Sequence, residues 1–325
     1  MNVAIVIPTI GRPSLLETIG SIARSAGPLP REIVVVDDRR SMPEPLSLSA
    51  PDSLRSCLRV VRSGGRGPAA ARNVGWRTTV SPWVCFVDDD VVVSEEWLSA
   101  LERDLREVED DAGGVQGQIE VPLPSGPVTD WERNVAGLAQ SSWITADMAY
   151  RRAALERTGG FDERFRRAYR EDSDLALRIV REGFALRAGK RVALHPVRKA
   201  DAWVSVRLQA GNADDVLMRA LHGRHWRMLA QAPAGRFPLH FLTVGFAASA
   251  LAAMLSGARW PAAFGAFAWA FATAQFAWSR IAPGPRTPRE IVIMSATSAL
   301  IPFAAVYHKA RGIAQLPRLL RGDAA

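Results

Sequence analysis

Cysteine is nearly absent. Cys57 and Cys85 are the two in 325 residues, they stand at no metal-ligand spacing, and Cys85 lies inside an apolar run. This excludes a disulfide framework or a thiolate zinc site and suits a reduced compartment. Acidic charge is in deficit, 33 Asp and Glu against 41 Lys and Arg. Lysine is scarce too, confined to Lys190, Lys199 and Lys309, so arginine supplies nearly all of the net charge of +8. Such a balance suits partners that carry phosphate: nucleic acid, nucleotides or anionic lipid. The opening MNVAIVIPTIGRP lacks both a basic flank and a small-residue cleavage site. It reads as a first strand rather than a signal peptide, which predicts a cytosolic location for this end. Internal repeats and low-complexity tracts are also lacking, and PLPSGP at 122–127 reads as a loop.

What is present is alternation. NVAIVIP, EIVVVDD, LRVVRSG and WVCFVDDD are short Val- and Ile-rich runs bounded by Gly, Pro or Asp, as buried strands are. Between them SLLETIGSIARSA and GPAAARNVGWRTT have helical spacing. This pattern predicts an α/β fold with a mainly parallel sheet and helices on both faces. In such sheets the ligand crevice lies beyond the carboxyl ends of the strands. Pro8-Thr9, Asp37-Asp38 and Asp88-Asp89-Asp90 all fall at such ends, so three polar clusters are expected to meet on one edge. Adjacent carboxylates like the triplet disfavour joint ionisation unless water or a cation compensates them. Downstream, Glu171-Asp172 precede an apolar helical pattern; acids there either cap a helix or present a general base to the crevice.

The composition changes after Arg236. Residues 237–255 and 260–278 are apolar all round, and each is about long enough to cross a hydrocarbon core of roughly 30 Å. Trp260 and Trp278 bracket the second run, where interfacial indoles are expected. Residues 291–307 form a shorter run interrupted by Pro302, with Arg280, Arg286 and Arg289 before it and Lys309, Arg311, Arg318 and Arg321 after it. Positive charge on both sides favours two spans and an interfacial or re-entrant third segment, with three spans as the alternative. The expected organisation is a catalytic domain over 1–203, a basic amphipathic connector over 204–236 and a membrane region over 237–325. The connector, with Arg207, Arg219, Arg224 and Arg227, either packs as a solvated helix or lies on lipid with its arginines toward headgroup phosphates.

In order, VIPTIGRPSLLETIGSI, VVVDD, GPAAARNVG, FVDDDVVVSEEWL, the block RRAALERTGGFDERF from Arg151 and REDSDLALRIVREG resemble the family-2 glycosyltransferases of the GT-A fold. The resemblance covers about the first two hundred residues. It implies a nucleotide-sugar donor, a divalent metal (Mg2+ or Mn2+) and inversion at the anomeric carbon, and leaves no role for nucleic acid. Pro8, Thr9 and Asp38, with Asp37 beside it, match positions that hold the base, and Arg72-Asn73 fall in the segment lining the nucleotide pocket. Asp88 and Asp90 match the Asp-x-Asp motif that grips ribose and metal, with Asp89 able to replace either. Asp172 is the expected catalytic base and Glu171 the alternative. Some relatives place a metal-binding histidine twenty-odd residues beyond the acidic pair, a range that includes His195; otherwise it is a structural histidine, as His222, His225, His240 and His308 are expected to be structural or interfacial.

The departures also carry information. Arg39-Arg40 follow Asp37-Asp38 where the family commonly has Gly-Ser, so the donor cannot be inferred by analogy. The Gln-x-x-Arg-Trp signature of processive synthases is missing, which favours transfer of a single sugar. The expectation is an enzyme at the cytoplasmic membrane, its catalytic domain facing the cytoplasm, acting on a polyprenyl-phosphate-linked or other lipid-linked hydroxyl in cell-envelope glycan or glycolipid synthesis. The rivals are an inactive membrane scaffold of the same fold and a sugar nucleotidyltransferase. The latter's usual Gly-rich, Lys-containing first loop is replaced here by PTIGRP.

Overall fold

The structure is a computed structural model that describes residues 1–40 and 44–321. The chain divides into two compact units. The first comprises Met1–Pro122, Ala136–Val197 and Met228–Ala232. It is built on β1 (Val3–Thr9), α1 (Ser14–Arg24), β2 (Glu32–Asp37), β3 (Leu58–Arg62), α2 (Pro68–Arg77), β4 (Trp83–Val87), β5 (Val92–Val93), α3 (Trp97–Glu107) and β6 (Ala112–Glu120). After the chain has visited the second unit through α4 (Asp130–Ala136), it continues with β7 (Asp147–Arg151), α5 (Arg152–Thr158), α6 (Glu171–Arg181) and β8 (Ala185–Leu194).

The strands form one mixed sheet in the order β3-β2-β1-β4-β7-β6-β8-β5. β3, β2, β1 and β4 run parallel, as their uninterrupted apolar runs predict. β7 enters antiparallel between β4 and β6, and β5 returns antiparallel on β8. Because the chain passes from β1 to β2 on one side and to β4 on the other, the strand order reverses between β1 and β4, the place where ligand crevices open in such sheets.

Helix packing follows from side-chain spacing and size. Leu15, Ile19 and Ile22 of α1 recur at helical spacing and are buried in the same apolar cluster as Ile5, Ile7, Ile33 and Val35. α2 instead approaches closely through small residues: a Cβ at Gly75 would stand 2.3 Å from Val6 and 3.0 Å from Val36. The core also contains an ionic node that the sequence did not announce. Arg191, fully buried, reaches Asp147 through Nε (2.8 Å) and Asp104 through Nη1 (3.1 Å), and donates to the Val115 carbonyl. Trp97 Nε1 donates to the other Asp147 oxygen.

The second unit comprises Leu123–Val135, Arg198–Arg227 and the chain from Pro233 on. Its elements after α4 are α7 (Val204–Arg207), α8 (Gly211–His222), the first half of α9 (Trp226–Leu229), α10 (Phe237–Leu255), α11 (Arg259–Ile281) and α12 (Pro288–Arg321). Among the described residues, two helices are long and apolar enough to cross a membrane, α10 and α12. The segment expected to be short and interfacial therefore lies within a 34-residue helix that runs through Pro302, an insertion that membrane helices tolerate when neighbours satisfy the freed carbonyl. The second expected span forms α11, whose tryptophans and Gln275 lower its apolarity.

The connector is broken into α7, α8 and α9, and Val216, Leu217 and Met218 of α8 are buried. α8 abuts α12 where a Cβ on Gly312 would stand 2.8 Å from the Ala213 Cα. α10 and α11 meet at Ala250 and Gly265, a small-residue crossing of the kind that lets membrane helices approach. Arg280 of α11, buried, gathers the unit's polar groups: it pairs with Asp130 at 2.7 Å and donates to the hydroxyls of Ser205, Thr297 and Ser298.

Candidate active site

The three polar strand ends meet. At the end of β1, the Thr9 hydroxyl donates to Asp89 Oδ2 at 2.6 Å and accepts from the Gly11 amide. Arg12 holds the other Asp89 oxygen at 2.6 Å. Asp89 is thus buried and engaged as a brace between the β1 and β4 loops, away from the group formed by its two neighbours. Asp37, at the end of β2, is buried and takes Nε and Nη2 of Arg39 at 2.8 Å each; these hydrogen bonds hold its carboxyl below the ordinary aspartate value. Asp38 accepts from Ser63 Oγ and from the amides of Arg66 and Gly67, fixing the turn that leads into α2. Gly67 has φ 100°, and a Cβ there would strike the Arg166 carbonyl at 2.6 Å, so glycine is required. Pro8 is the penultimate residue of β1, in register with Val36 of β2.

Arg72 and Asn73 are both buried on α2, in different roles. Asn73 grips the Gly160–Glu163 segment: its amide nitrogen donates to the Phe161 carbonyl and Glu163, and its oxygen accepts from the Phe161 amide and Trp76. Arg72 spans two acidic stations, donating through Nη2 to Asp88 Oδ1 at 2.9 Å and through Nη1 to Glu171 Oε1 at 2.8 Å. Burial disfavours its charge, but Asp88, Glu171 and Asp172 more than offset that and raise its pKa.

Beyond β4, Asp88 and Asp90 turn toward one place with His195. One ligand atom from each lies within 4.8 Å of the others, and His195 Nε2 is 3.6 Å from Asp90 Oδ1. Strand register explains the meeting: Val92 pairs with Leu194 and Val93 with Ala193, so the chain just after the acidic triplet runs antiparallel to the chain just before His195. The His195 amide is tied to the Glu120 carbonyl at 2.8 Å. Two carboxylates and an imidazole, all at least partly buried, fit a divalent cation that leaves positions open for substrate phosphate and water.

Glu171 opens α6 but does not cap it. It is buried against Arg72, and its second oxygen has no hydrogen-bond partner among the described residues. Burial first, and Asp172 next, push its carboxyl up to about 8. Asp172 is half-buried and accepts from the Ser173 amide at 2.7 Å. Burial raises its pKa as well, and the charge of Asp88 adds to this.

The profile of glycosyl transferase family 2 matches residues 4–174, more than half of the chain. The chain belongs to glycosyl transferase family 2. The sheet, the strand-end acids and the matched span make its first unit a glycosyltransferase domain of the GT-A fold. The pre-mycofactocin glycosyltransferases of two Mycobacterium tuberculosis strains, CDC 1551 / Oshkosh and ATCC 25618 / H37Rv, are each 28% identical to it over 204 residues, covering 57% of this chain and 40% of theirs. The chain therefore spans less than half the length of these curated relatives. Two crystal structures of S. aureus TarS 1-349, one of them in complex with UDP-GlcNAc, align with TM-scores of 0.44 at 16% and 15% identity, each over 98% of this chain and 92% of that one.

Sequence reasoning placed Pro8-Thr9, Asp37-Asp38 and Asp88-Asp89-Asp90 on one edge; in the structure Thr9 bonds Asp89 and the Asp38 amide, Asp88 and Asp90 approach His195, and Arg72 bridges Asp88 to Glu171. It missed Arg12, Ser63 and Arg66, which tie down the carboxylates. Arg12 and Arg66 are two arginines among many, and nothing in their local sequence sets them apart.

Proposed function

We propose that the chain is an inverting, metal-dependent glycosyltransferase that moves one sugar from a nucleotide-sugar donor to a hydroxyl of a lipid-linked acceptor. The observation that carries this reading is the convergence of Asp88, Asp90 and His195 within 4.8 Å, joined through Arg72 to the Glu171-Asp172 pair. Mg2+ or Mn2+ held by Asp88, Asp90 and His195 would compensate the negative charge that a departing nucleoside diphosphate gains. Pro8, Thr9 and the turn fixed by Asp38 border the base-binding side. Asp172 takes the proton from the acceptor hydroxyl as the sugar–oxygen bond forms on the face opposite the leaving group. Its partly exposed position lets an acceptor reach it, whereas Glu171 is buried and engaged with Arg72. With its pKa raised toward working pH, Asp172 is a better proton acceptor than an ordinary aspartate.

The acceptor side rests on α10 and α12, two helices able to cross a membrane, with the catalytic domain on the cytoplasmic side. Of Arg207, Arg219, Arg224 and Arg227 in the connector, Arg207 pairs with Asp201 and Arg227 with Asp215. Arg219 and Arg224 are exposed and are the two best placed to meet a phosphate headgroup. The test is transfer by the full chain in detergent from a panel of nucleotide sugars to polyprenyl-phosphate-linked and to water-soluble acceptors, with the product anomer assigned by NMR. The reading expects an inverted product on the lipid-linked acceptor. Transfer only to soluble sugars, or retention of configuration, would refute it.

A further inference from the structure

The geometry points to Arg72 as a positioning residue that makes cation capture at Asp88 conditional on the donor. This inference rests on the metal-site reading above and adds a role for a residue outside the ligand set. Arg72 is buried, with 3% of its side chain exposed, and its fork is divided between two carboxylates: Nη2 on Asp88 Oδ1 at 2.9 Å and Nη1 on Glu171 Oε1 at 2.8 Å. Asp88 is also one of the three residues whose ligand atoms converge. A permanent positive charge in hydrogen-bond contact with a cation ligand opposes binding of a second cation there; solvent screens it only from the Asp88 side, which is 30% exposed.

The ion alone therefore meets a site whose acidity is partly spent on Arg72. A nucleoside diphosphate adds negative charge on the open side and tips the balance, so that ion and donor enter together. The same guanidinium keeps Glu171 in place at the start of α6, one residue from Asp172. The strut thus links the donor carboxylate to the acceptor end of the site. Phe161, whose ring lies 5.6 Å from the Arg72 carbon, and Asn73, which grips the Phe161 backbone, hold the fork in that orientation.

Lysine and glutamine separate the two components of this role. Arg72→Gln removes the charge and Arg72→Lys keeps it, but a single ammonium does not reproduce the two-armed fork. Mn2+ binding to the full-length protein in detergent is followed by electron paramagnetic resonance of the free ion, with Mn2+ alone and with UDP or GDP added. Wild type should bind Mn2+ alone weakly and much more tightly with a diphosphate. Arg72→Gln should bind Mn2+ alone about tenfold more tightly than wild type, with most of the diphosphate enhancement gone. Arg72→Lys should stay near wild type in Mn2+ affinity, and both variants should lose turnover. If Arg72→Gln fails to fold, Arg72→Gln combined with Glu171→Gln removes both ends of the buried pair and should shift Mn2+ affinity in the same direction. Unchanged or weaker Mn2+ binding in the folded glutamine variant overturns the proposal while leaving the metal site standing. Wild type that binds no Mn2+ even with UDP or GDP overturns both.

Discussion

On the proposed mechanism single carboxylates carry the chemistry, and substitution separates them. Asp172→Asn keeps the shape of the side chain and an oxygen for the Ser173 amide, so a capping role predicts a small effect. As the base, Asp172 should lose about 10²-fold or more in kcat at nearly unchanged donor affinity, measured by steady-state kinetics and nucleotide titration. A collapse confined to Glu171→Gln would move the role to Glu171. The pH profile gives an independent reading. A base works deprotonated, so turnover is lost as pH falls through its pKa. Because burial raises the pKa of Asp172, the acid limb of kcat should lie above the ordinary 3.8 and be absent from the residual rate of Asp172→Asn. At the proposed metal site, Asp88→Asn or Asp90→Asn should remove most activity with the fold retained, Asp88→Asn alone also lowering the thermal midpoint because it weakens the pair with buried Arg72, and EDTA should remove activity from wild type. Near wild-type turnover in both variants, with indifference to EDTA, would dismiss the metal.

Elements decide which residues can meet, and here the sequence was legible in part. β1, β2 and β4 were readable because strands buried on both faces are continuous apolar runs, and their acidic ends followed from where those runs stop. The placement of His195 could not be derived that way. It depends on the pairing of β5 with β8, a register between segments about a hundred residues apart that local composition does not encode. The Arg191–Asp147–Asp104 node was hidden for a similar reason, since its members lie in three separate stretches and resemble ordinary surface charges until the sheet assembles. Arg191→Met would leave Asp147 buried without its cation. It should cost about 3–5 kcal/mol of stability, read by denaturant unfolding of the first unit's signal. A loss below about 1 kcal/mol would mean that the node contributes little. In the second unit, Gly265→Leu should force α11 away from Ala250 and lower the thermal midpoint in detergent, whereas Gly245→Leu, with open space around its Cβ, should not.

For the molecule as a whole, the claim is that a family-2 glycosyltransferase domain works on an acceptor delivered by a membrane. Arg219→Gln with Arg224→Gln should raise KM for a lipid-linked acceptor several-fold and leave donor KM unchanged; equal KM values for lipid-linked and soluble acceptors in wild type and variant would reduce the helices to a tether. The most direct measurement of the central claim is product analysis by phosphorus NMR. Full-length protein, a panel of nucleotide sugars and lipid-linked acceptor are incubated with Mn2+, with EDTA, and with Asp88→Asn in place of wild type. Wild type with Mn2+ should release free nucleoside diphosphate, and the other two arms should stay near background. Release of pyrophosphate, or equal nucleoside diphosphate release in all three arms, would contradict the claim.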